Sequence, residues 1–368
     1  MVAALLMAAG CLATGGALAQ AGWPSRLQAE LAKVDAQSKA RIGVYVQDMD
    51  SGDSMSYKAD LRWYLASTVK VPVAIAVLRG VEQDRYNLDT KVTLRASDYV
   101  DGAGQTNKQP VGKALSIRFL LDQMIIYSDN AATDMLIGLV GVGEVNAVLE
   151  SLVPEGFTRI TTLGDIRRMV YGNLTPAAGH LSGPELLLLH RQPTDADRLR
   201  LLAQLVDTPV ARFQLKTLDA AWTAYYATGL NSGRLDAYGE LLVKLAQGQA
   251  LGPRYTDYLL KVMERVATGE RRIKAALPPD AKFAHKTGTQ RRRTCDSGIV
   301  RMAGEGPARR VIVVACTRDE PSTARSELAL QHVGAAICRS GLLTEGMIDA
   351  PICTPAPSGK RLPAAPVR

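Results

Sequence analysis

Segments with the two-residue period of a β-strand lie near both ends of this chain, whereas segments with helical periodicity fill its middle. Residues 41–49 (RIGVYVQDM) alternate apolar and polar side chains, and residues 54–58 follow the turn-forming sequence DSGD, which predicts an opening β-hairpin. Three further strands are predicted late in the chain, at residues 282–286, 298–302 and 310–317. The economical architecture is an α+β fold with an antiparallel sheet formed from both chain ends.

The helical patterns lie mostly between the two groups of predicted strands. Residues from 153 to about 227 have a mostly helical pattern. Other segments with apolar residues at helical spacing are 67–78, 117–126, 131–140, 238–246, 255–266 and 326–340. We therefore expect helices to flank the sheet, together with a mostly helical subdomain.

The two ends of the chain differ in composition from its body. Residues 1–19 are uncharged and apolar and end in the small-residue pattern Ala17-Leu18-Ala19, which predicts a signal peptide. No Lys or Arg precedes the apolar run, so an uncleaved anchor is the alternative. Cleavage predicts a periplasmic or secreted protein with no stable membrane span. Residues 351–368 hold five of the 18 prolines and predict a disordered tail.

The composition of the body excludes several classes of protein. With 47% hydrophobic and 22% charged residues among 368, the chain can bury a substantial core and differs from a disordered polymer. The net charge of +8 is assigned to a solvated surface, so we expect no nucleic-acid partner. No HExxH or paired CxxC motif occurs, and we therefore expect no metal and no other cofactor.

Four cysteines remain after the predicted signal peptide, namely Cys295, Cys316, Cys338 and Cys353. An even number in an exported chain permits two disulfides. Three pairings are open, and the sequence does not choose among them.

The first motif with chemical content is Ser67-Thr68-Val69-Lys70, at the start of a predicted helix. Residues i and i+3 share a helix face, so the lysine amine can reach the serine hydroxyl. A lysine of lowered pKa can take the serine proton and activate the nucleophile. On its own the motif also describes a capping serine beside a surface lysine.

The second motif is Ser128-Asp129-Asn130, in a polar break between two predicted helices. A hydroxyl there could pass a proton to a leaving nitrogen, and the amide could bind a substrate carbonyl. Because Ser, Asp and Asn all favour helix N-caps, a plain capping role is the alternative.

The third motif is His285-Lys286-Thr287-Gly288-Thr289, on a predicted strand. A cation with adjacent hydroxyls suits a substrate carboxylate, and Gly288 would let a substrate backbone lie against the strand edge. The alternative is an ordinary edge strand on which an exposed lysine discourages aggregation.

The order Ser-x-x-Lys, Ser-Asp-Asn and Lys-Thr-Gly resembles the class A β-lactamases and their D-Ala-D-Ala peptidase relatives, which are penicillin-recognising serine hydrolases. Ser67 and Ser128 are 61 positions apart, which fits the class A spacing, and the strings YSDNAATDML and TCDSGIV are also similar. The resemblance covers about residues 41–343. It implies a β-lactamase/transpeptidase-like domain at residues 25–345.

The resemblance also implies a role for each motif residue. Ser67 would be the acylated nucleophile, Lys70 its base, and Ser128 the proton donor to the departing nitrogen. Backbone N–H groups of Ser67 and Thr289 would form an oxyanion hole. The substrate-binding residues that the resemblance implies are Asn130, Lys286, Thr287, Gly288 and Thr289.

One element of the class A pattern is missing. Class A enzymes carry an E-x-x-x-N element between the second and third motifs, and its glutamate activates the water that releases the acyl-enzyme. Here Gly183 stands where that glutamate is expected, so Glu185 and Asp165 are the substitutes we consider. The interval from Ser128 to the third motif is also about fifty residues longer than in the family, which predicts an insertion within about residues 155–227.

Three functions are compatible with these observations. The first is a class A-like β-lactamase that forms an acyl-Ser67 intermediate and deacylates slowly. The second is a cell-wall D-Ala-D-Ala peptidase, or a related acyl-serine hydrolase, that β-lactams inhibit. The third is a non-catalytic penicillin-binding or sensor module. The expected partner is a small β-lactam or a peptidoglycan stem peptide, and we expect a monomer.

Overall fold

The structure is a computed structural model that describes residues 22–302 and 309–344. The predicted signal peptide at 1–19 and the predicted tail at 351–368 lie outside these residues. The strands are β1 (Arg41–Asp48), β2 (Ser54–Tyr57), β3 (Arg62–Tyr64), β4 (Lys91–Thr93), β5 (Ala114–Ser116), β6 (Ser232–Arg234), β7 (Lys282–Gln290), β8 (Arg293–Met302) and β9 (Arg309–Arg318).

The main sheet has five strands in the order β2-β1-β9-β8-β7, and every neighbouring pair is antiparallel. It therefore joins the first two strands of the chain to its last three, as the sequence predicts. Two small antiparallel pairs, β3 with β6 and β4 with β5, lie outside this sheet.

The helices occupy the middle of the chain and both of its described ends. They are α1 (Trp23–Gln37), α2 (Lys70–Glu82), α3 (Ile117–Ile126), α4 (Asn130–Val140), α5 (Val142–Leu152), α6 (Leu163–Gly172), α7 (Gly183–His190), α8 (Asp195–Leu205), α9 (Leu218–Ala227), α10 (Leu235–Ala246), α11 (Pro253–Glu264) and α12 (Thr323–Arg339).

Strand β9 shows how the sheet is buried on both faces. Val311 and Val313 pack in a core with residues of α1 and α12. Ile312 and Val314, which point to the opposite face, join a larger core built by helices from the middle of the chain. Successive strand residues point to opposite faces, so the uninterrupted apolar run of β9 is buried on both faces of the sheet. The sheet therefore lies between two helical layers.

The α+β prediction is confirmed, but some elements differ from the predicted ones. The helix expected over residues 67–78 begins as a 3₁₀ turn, Ala66–Val69, and becomes α-helical only at Lys70. Helix α1 and the two small sheets were not predicted. Each small strand has three residues, which is too short for an alternating pattern to stand out.

Among the described residues, no single helix is long and apolar enough to cross a membrane. Helices α4 and α5, which meet at an angle of 85°, are long and apolar enough to span a membrane only when their lengths are added together.

A disulfide crosslinks two central strands of the main sheet. Cys295 on β8 and Cys316 on β9 are directly opposite each other, are both buried, and are bonded through their sulfurs. This bond is part of one of the three pairings that the sequence left open. It closes a loop with a sequence separation of 21 residues.

We expect the double substitution Cys295→Ala and Cys316→Ala to lower the free energy of unfolding by about 2–4 kcal/mol. The physical reason is that the unfolded chain regains the freedom that this crosslink removes. Urea unfolding of the oxidised protein and of the double variant, followed by circular dichroism, measures the difference. Coincident unfolding curves would contradict a stabilising role for the bond.

Candidate active site

One pocket brings residues of all three motifs together. Its volume is about 850 Å³, and it opens beside the edge strand β7. The motif residues that line it are Ser67, Ser128, Asn130, Thr287 and Thr289. The two motif lysines are fully buried. Segments that are far apart in sequence thus converge on Ser67.

Ser67 lies on a turn whose conformation is held by the surrounding structure. The preceding Ala66 has φ of +48°, in a left-handed region that alanine rarely adopts. The hydroxyl of Tyr238 donates a hydrogen bond to the carbonyl of Thr68 at 2.9 Å. Sequence reasoning missed Tyr238, because nothing in its surrounding sequence marks it.

Lys70 is buried and contacts neutral acceptors. Its Nζ donates to the carbonyl of Ser128 (2.6 Å), to the hydroxyl of Ser128 (3.2 Å) and to Oδ1 of Asn130 (2.7 Å). Burial lowers the pKa of Lys70 to about 7, although the charges of Asp129 and Asp134 oppose the shift. The alternative of a surface lysine is therefore wrong. With this pKa, a substantial fraction of the Lys70 amine is unprotonated near neutral pH.

The Ser-Asp-Asn motif divides its tasks among its residues. Asp129 is the N-cap of α4, and its carboxylate accepts from the N–H of Ala132 at 3.0 Å and of Thr106 at 2.9 Å. Ser128 adopts φ of +61°, and Asn130 is the first residue of the helix. Capping thus belongs to Asp129, which leaves the side chains of Ser128 and Asn130 in contact with the Lys70 amine.

Strand β7 presents the third motif at the free edge of the main sheet. Lys286 is fully buried, which excludes an exposed lysine that discourages aggregation. Burial and the charge of Lys70 hold the pKa of Lys286 well below its usual range. A Cβ at Gly288 would lie 2.7 Å from the carbonyl oxygen of Leu65 and 3.2 Å from the Ser67 nitrogen. Gly288 therefore makes room for the Ser67 turn itself.

Arg272 is a pocket residue that the motifs did not reveal. Its guanidinium donates to the carbonyls of Gly288 (3.1 Å) and Cys295 (2.9 Å) and to the hydroxyl of Thr289 (2.6 Å). It is 4% exposed, and its hydrogen bonds hold the end of β7 where a substrate carboxylate is expected. No signal in the sequence distinguishes Arg272 from the neighbouring Arg271.

Asp134 is a third residue that sequence reasoning missed. Its carboxylate accepts from the N–H groups of Leu163 (2.7 Å) and Gly164 (2.8 Å) at the start of α6. Burial nevertheless raises the pKa of Asp134 to about 7, with the charge of Lys70 opposing this shift. Asp134 lies six residues after Ser128 and links helix α4 to helix α6.

The two residues considered as deacylation bases do not line the pocket. Glu185 accepts from the N–H (2.7 Å) and the hydroxyl (2.6 Å) of Ser182, which forms a capping box on α7. Asp165 pairs with Arg168 at 3.0 Å on α6. The structure thus brings together residues of the three motifs and leaves both of these carboxylates outside the pocket.

Among the described residues, the carboxylates that line the pocket each face an arginine. The pairs are Asp101 with Arg167, Asp219 with Arg291, and Glu327 with Arg272. Although burial opposes the shift, the charge of Arg167 lowers the pKa of Asp101. Held by this guanidinium, the Asp101 carboxylate is a weak proton acceptor.

The histidine of the third motif, His285, lies on strand β7, and its side chain is buried. His285 and Asp296 are both buried, and Nδ1 of the imidazole is 2.7 Å from Oδ1 of the carboxylate.

In residues 22–302 and 309–344, no group of three or more His, Cys, Asp or Glu side chains could hold a metal ion.

This fold, with the three motifs meeting at one pocket, defines a β-lactamase/transpeptidase-like protein. The chain belongs to the Beta-lactamase enzyme family, whose profile matches residues 26–340.

Individual relatives match more limited stretches. The β-lactamase ROB-1 of Haemophilus influenzae is 37% identical over 134 residues, which are 36% of this chain and 43% of that protein. A β-lactamase of Mycobacterium tuberculosis H37Rv is 29% identical over 259 residues, which are 70% of this chain and 67% of that one. The chain thus spans less than half the length of ROB-1.

Solved structures show the same fold at low sequence identity. A β-lactamase from Sphaerobacter thermophilus superposes with a TM-score of 0.63 and 23% identity, covering 87% of this chain and 98% of that one. The protein PBP-A superposes with a TM-score of 0.63 and 22% identity, covering 85% and 94%. A mutant of PBP-A was solved as an acyl-enzyme complex with penicillin G.

We expect the substitution Asp134→Asn to alter how stability depends on pH. A carboxyl with a folded-state pKa near 7 and an unfolded-state pKa near 4 binds more protons in the folded state, so its contribution to stability falls as pH rises from about 4 to 7. Without it, the slope over this window should become less negative by up to about 1.4 kcal/mol per pH unit. Urea unfolding at several pH values measures this slope, and an unchanged slope would contradict the raised pKa.

Proposed function

We propose that the protein is a class A-like β-lactamase that opens the β-lactam amide through an acyl-Ser67 intermediate. The observation that carries this proposal is the buried Lys70, which contacts neutral acceptors one helical turn from Ser67. A lysine with a pKa near 7 can accept a serine proton at neutral pH.

Acylation proceeds in steps that each use one motif. The Lys70 amine takes the proton of the Ser67 hydroxyl, and the serine oxygen bonds to the β-lactam carbonyl carbon. The ring C–N bond then breaks, and Ser128, which lies 3.2 Å from the Lys70 amine, protonates the departing nitrogen. The lysine ammonium returns the proton to Ser128. Backbone N–H groups of Ser67 and Thr289 stabilise the oxyanion.

Substrate orientation depends on the polar side chains that line the pocket. Thr287 and Thr289 on β7 offer hydroxyls to a substrate carboxylate, whose negative charge would favour the protonated form of buried Lys286. Asn130 at the start of α4 also lines the pocket and offers its amide to the side chain of the substrate. A β-lactam held at both ends presents its carbonyl to Ser67.

Release of the acyl-enzyme is expected to be slow. Water attacks an ester slowly unless a base is positioned beside it, and a positioned base typically contributes about 10²–10⁴-fold. The described carboxylates of the pocket are paired with arginines, and Glu185 and Asp165 lie outside it. The same observation supports a second candidate, a D-Ala-D-Ala peptidase that β-lactams inhibit.

The place of action is also part of the proposal. The uncharged segment at residues 1–19 supports export, so we propose a periplasmic or secreted protein. β-Lactams and peptidoglycan stem peptides are both met in such a compartment.

We expect burst kinetics with nitrocefin: one fast equivalent is opened per protein, followed by turnover slower by about 10²–10⁴-fold. Intact-protein mass spectrometry during the slow phase should show one acyl adduct. Ser67→Ala should abolish both the burst and the adduct, whereas Ser182→Ala, which alters a serine of the α7 capping box, should retain both.

Linear progress curves without an adduct would show that deacylation keeps pace with acylation. A persistent adduct without turnover would favour the peptidase, and an adduct on Ser67→Ala would refute the nucleophile.

We also expect the acylation rate to rise with pH through about 7, because only the unprotonated Lys70 amine can accept the serine proton. Labelling with a fluorescent penicillin between pH 5 and 9 measures the profile. Lys70→Ala should lower the rate by about 10²–10⁴-fold and remove this rise, while Lys274→Ala serves as a lysine control. A rate that does not change with pH in the wild type would contradict the role of Lys70.

A further inference from the structure

We propose that Arg167 is a positioning residue that acts through Asp101 to orient the Asn130 side chain beside Lys70. The inference rests on the proposed acylation of Ser67 and assigns it a residue outside the three motifs. Arg167 belongs to α6, within the region predicted to be an insertion.

A continuous set of contacts joins Arg167 to Lys70. Nε and Nη2 of Arg167 donate to the two carboxylate oxygens of Asp101 at 2.6 and 2.9 Å. The backbone carbonyl of Asp101 accepts a hydrogen bond from Nδ2 of Asn130. Oδ1 of the same amide accepts from the Lys70 amine at 2.7 Å. Each link is a direct hydrogen bond, so no bridging molecule is required.

The loop that carries Asp101 lies tightly against the second motif. A Cβ at Gly104 would lie 2.1 Å from Oδ2 of Asp129, and Gly104 has φ of +96°. A Cβ at Gly102 would lie 2.7 Å from Nδ2 of Asn130. The loop therefore has little room to shift, and the ion pair with Arg167 fixes it from the side of α6.

The chemistry of an amide makes this orientation consequential. A backbone carbonyl can only accept, so the Asp101 carbonyl requires the nitrogen of the Asn130 amide, and the oxygen must then face Lys70. With the amide reversed, Lys70 would meet a donor and lose an acceptor. The loop thus selects the orientation in which the Asn130 oxygen accepts from the Lys70 amine.

Arg167 also acts on Lys70 by its charge. The side chains of Arg167 and Asp101 are only 11% and 13% exposed, and Arg167 lies 5.5 Å from the Trp222 ring. Charges around Lys70 act in both directions: Asp129, Asp134 and Asp101 raise its pKa, whereas Arg167 lowers it.

The test compares Arg167→Gln with Arg168→Gln on the same helix. Arg168 donates to the carbonyl of Leu181 and pairs with Asp165, away from the Asp101 loop. Arg167→Gln should slow labelling by a fluorescent penicillin by about 10–100-fold, and Arg168→Gln should stay within about twofold. In an Asn130→Ala background, Arg167→Gln should have little further effect, because the side chain it positions is absent.

A second readout does not depend on acylation. We expect the titration midpoint of Lys70, followed by NMR with ¹³C-labelled lysine and assigned through Lys70→Ala, to rise by about one pH unit in Arg167→Gln. If this variant does not fold, Arg167→Lys replaces it. Lysine keeps the positive charge but loses the bidentate contact with Asp101. Labelling should then slow, while the titration midpoint of Lys70 stays near that of the wild type.

The outcomes separate this inference from the proposed function. A wild-type protein that no penicillin labels refutes the proposed acylation, and the NMR midpoint then decides the role of Arg167 alone. A labelled wild type, with Arg167→Gln unchanged in both rate and midpoint, overturns the inference. An equal loss of rate in the presence and absence of the Asn130 side chain would also overturn it, because it would show a merely structural role.

Discussion

The burial of Lys70 is the constraint on which the rest of the site depends. A lysine amine in a protein interior needs hydrogen-bond acceptors, and this one has the carbonyl and hydroxyl of Ser128 and the amide oxygen of Asn130. Those acceptors lie 58 and 60 positions away in the sequence. Helices α2 and α4 must therefore be held in register by the large helical core, or the amine loses its partners.

The sequence predicts the parts of the site that local motifs encode. The α+β class and the five-stranded sheet follow from strand periodicity, and the convergence of the three motifs is implied by the family resemblance that short strings such as Ser-Asp-Asn carry. Tyr238, Arg272 and Arg167 could not be found in this way. Each reaches the site from a helix or turn remote in sequence, and only the tertiary packing distinguishes it from its many chemically equal neighbours.

The carboxylates show the same limit from the opposite direction. Glu185 and Asp165 have the right chemistry and lie in the expected interval, yet one caps α7 and the other pairs with Arg168. Helix starts attract acidic side chains for local reasons, so position in the sequence is a weak guide to position in a pocket. Left-handed backbone at Ala66 and Ser128 is likewise a tertiary effect, which no pattern in those two residues predicts.

The close approach of the Ser67 turn to Gly288 has a consequence beyond chemistry. The turn that carries Ser67 packs on one face of β7, towards which any side chain at residue 288 would point, and the Cβ of such a side chain would lie 2.7 Å from the carbonyl oxygen of Leu65. The position of Ser67 and the identity of residue 288 are therefore coupled, and a chain that acquired a larger side chain at residue 288 would also have to move its serine.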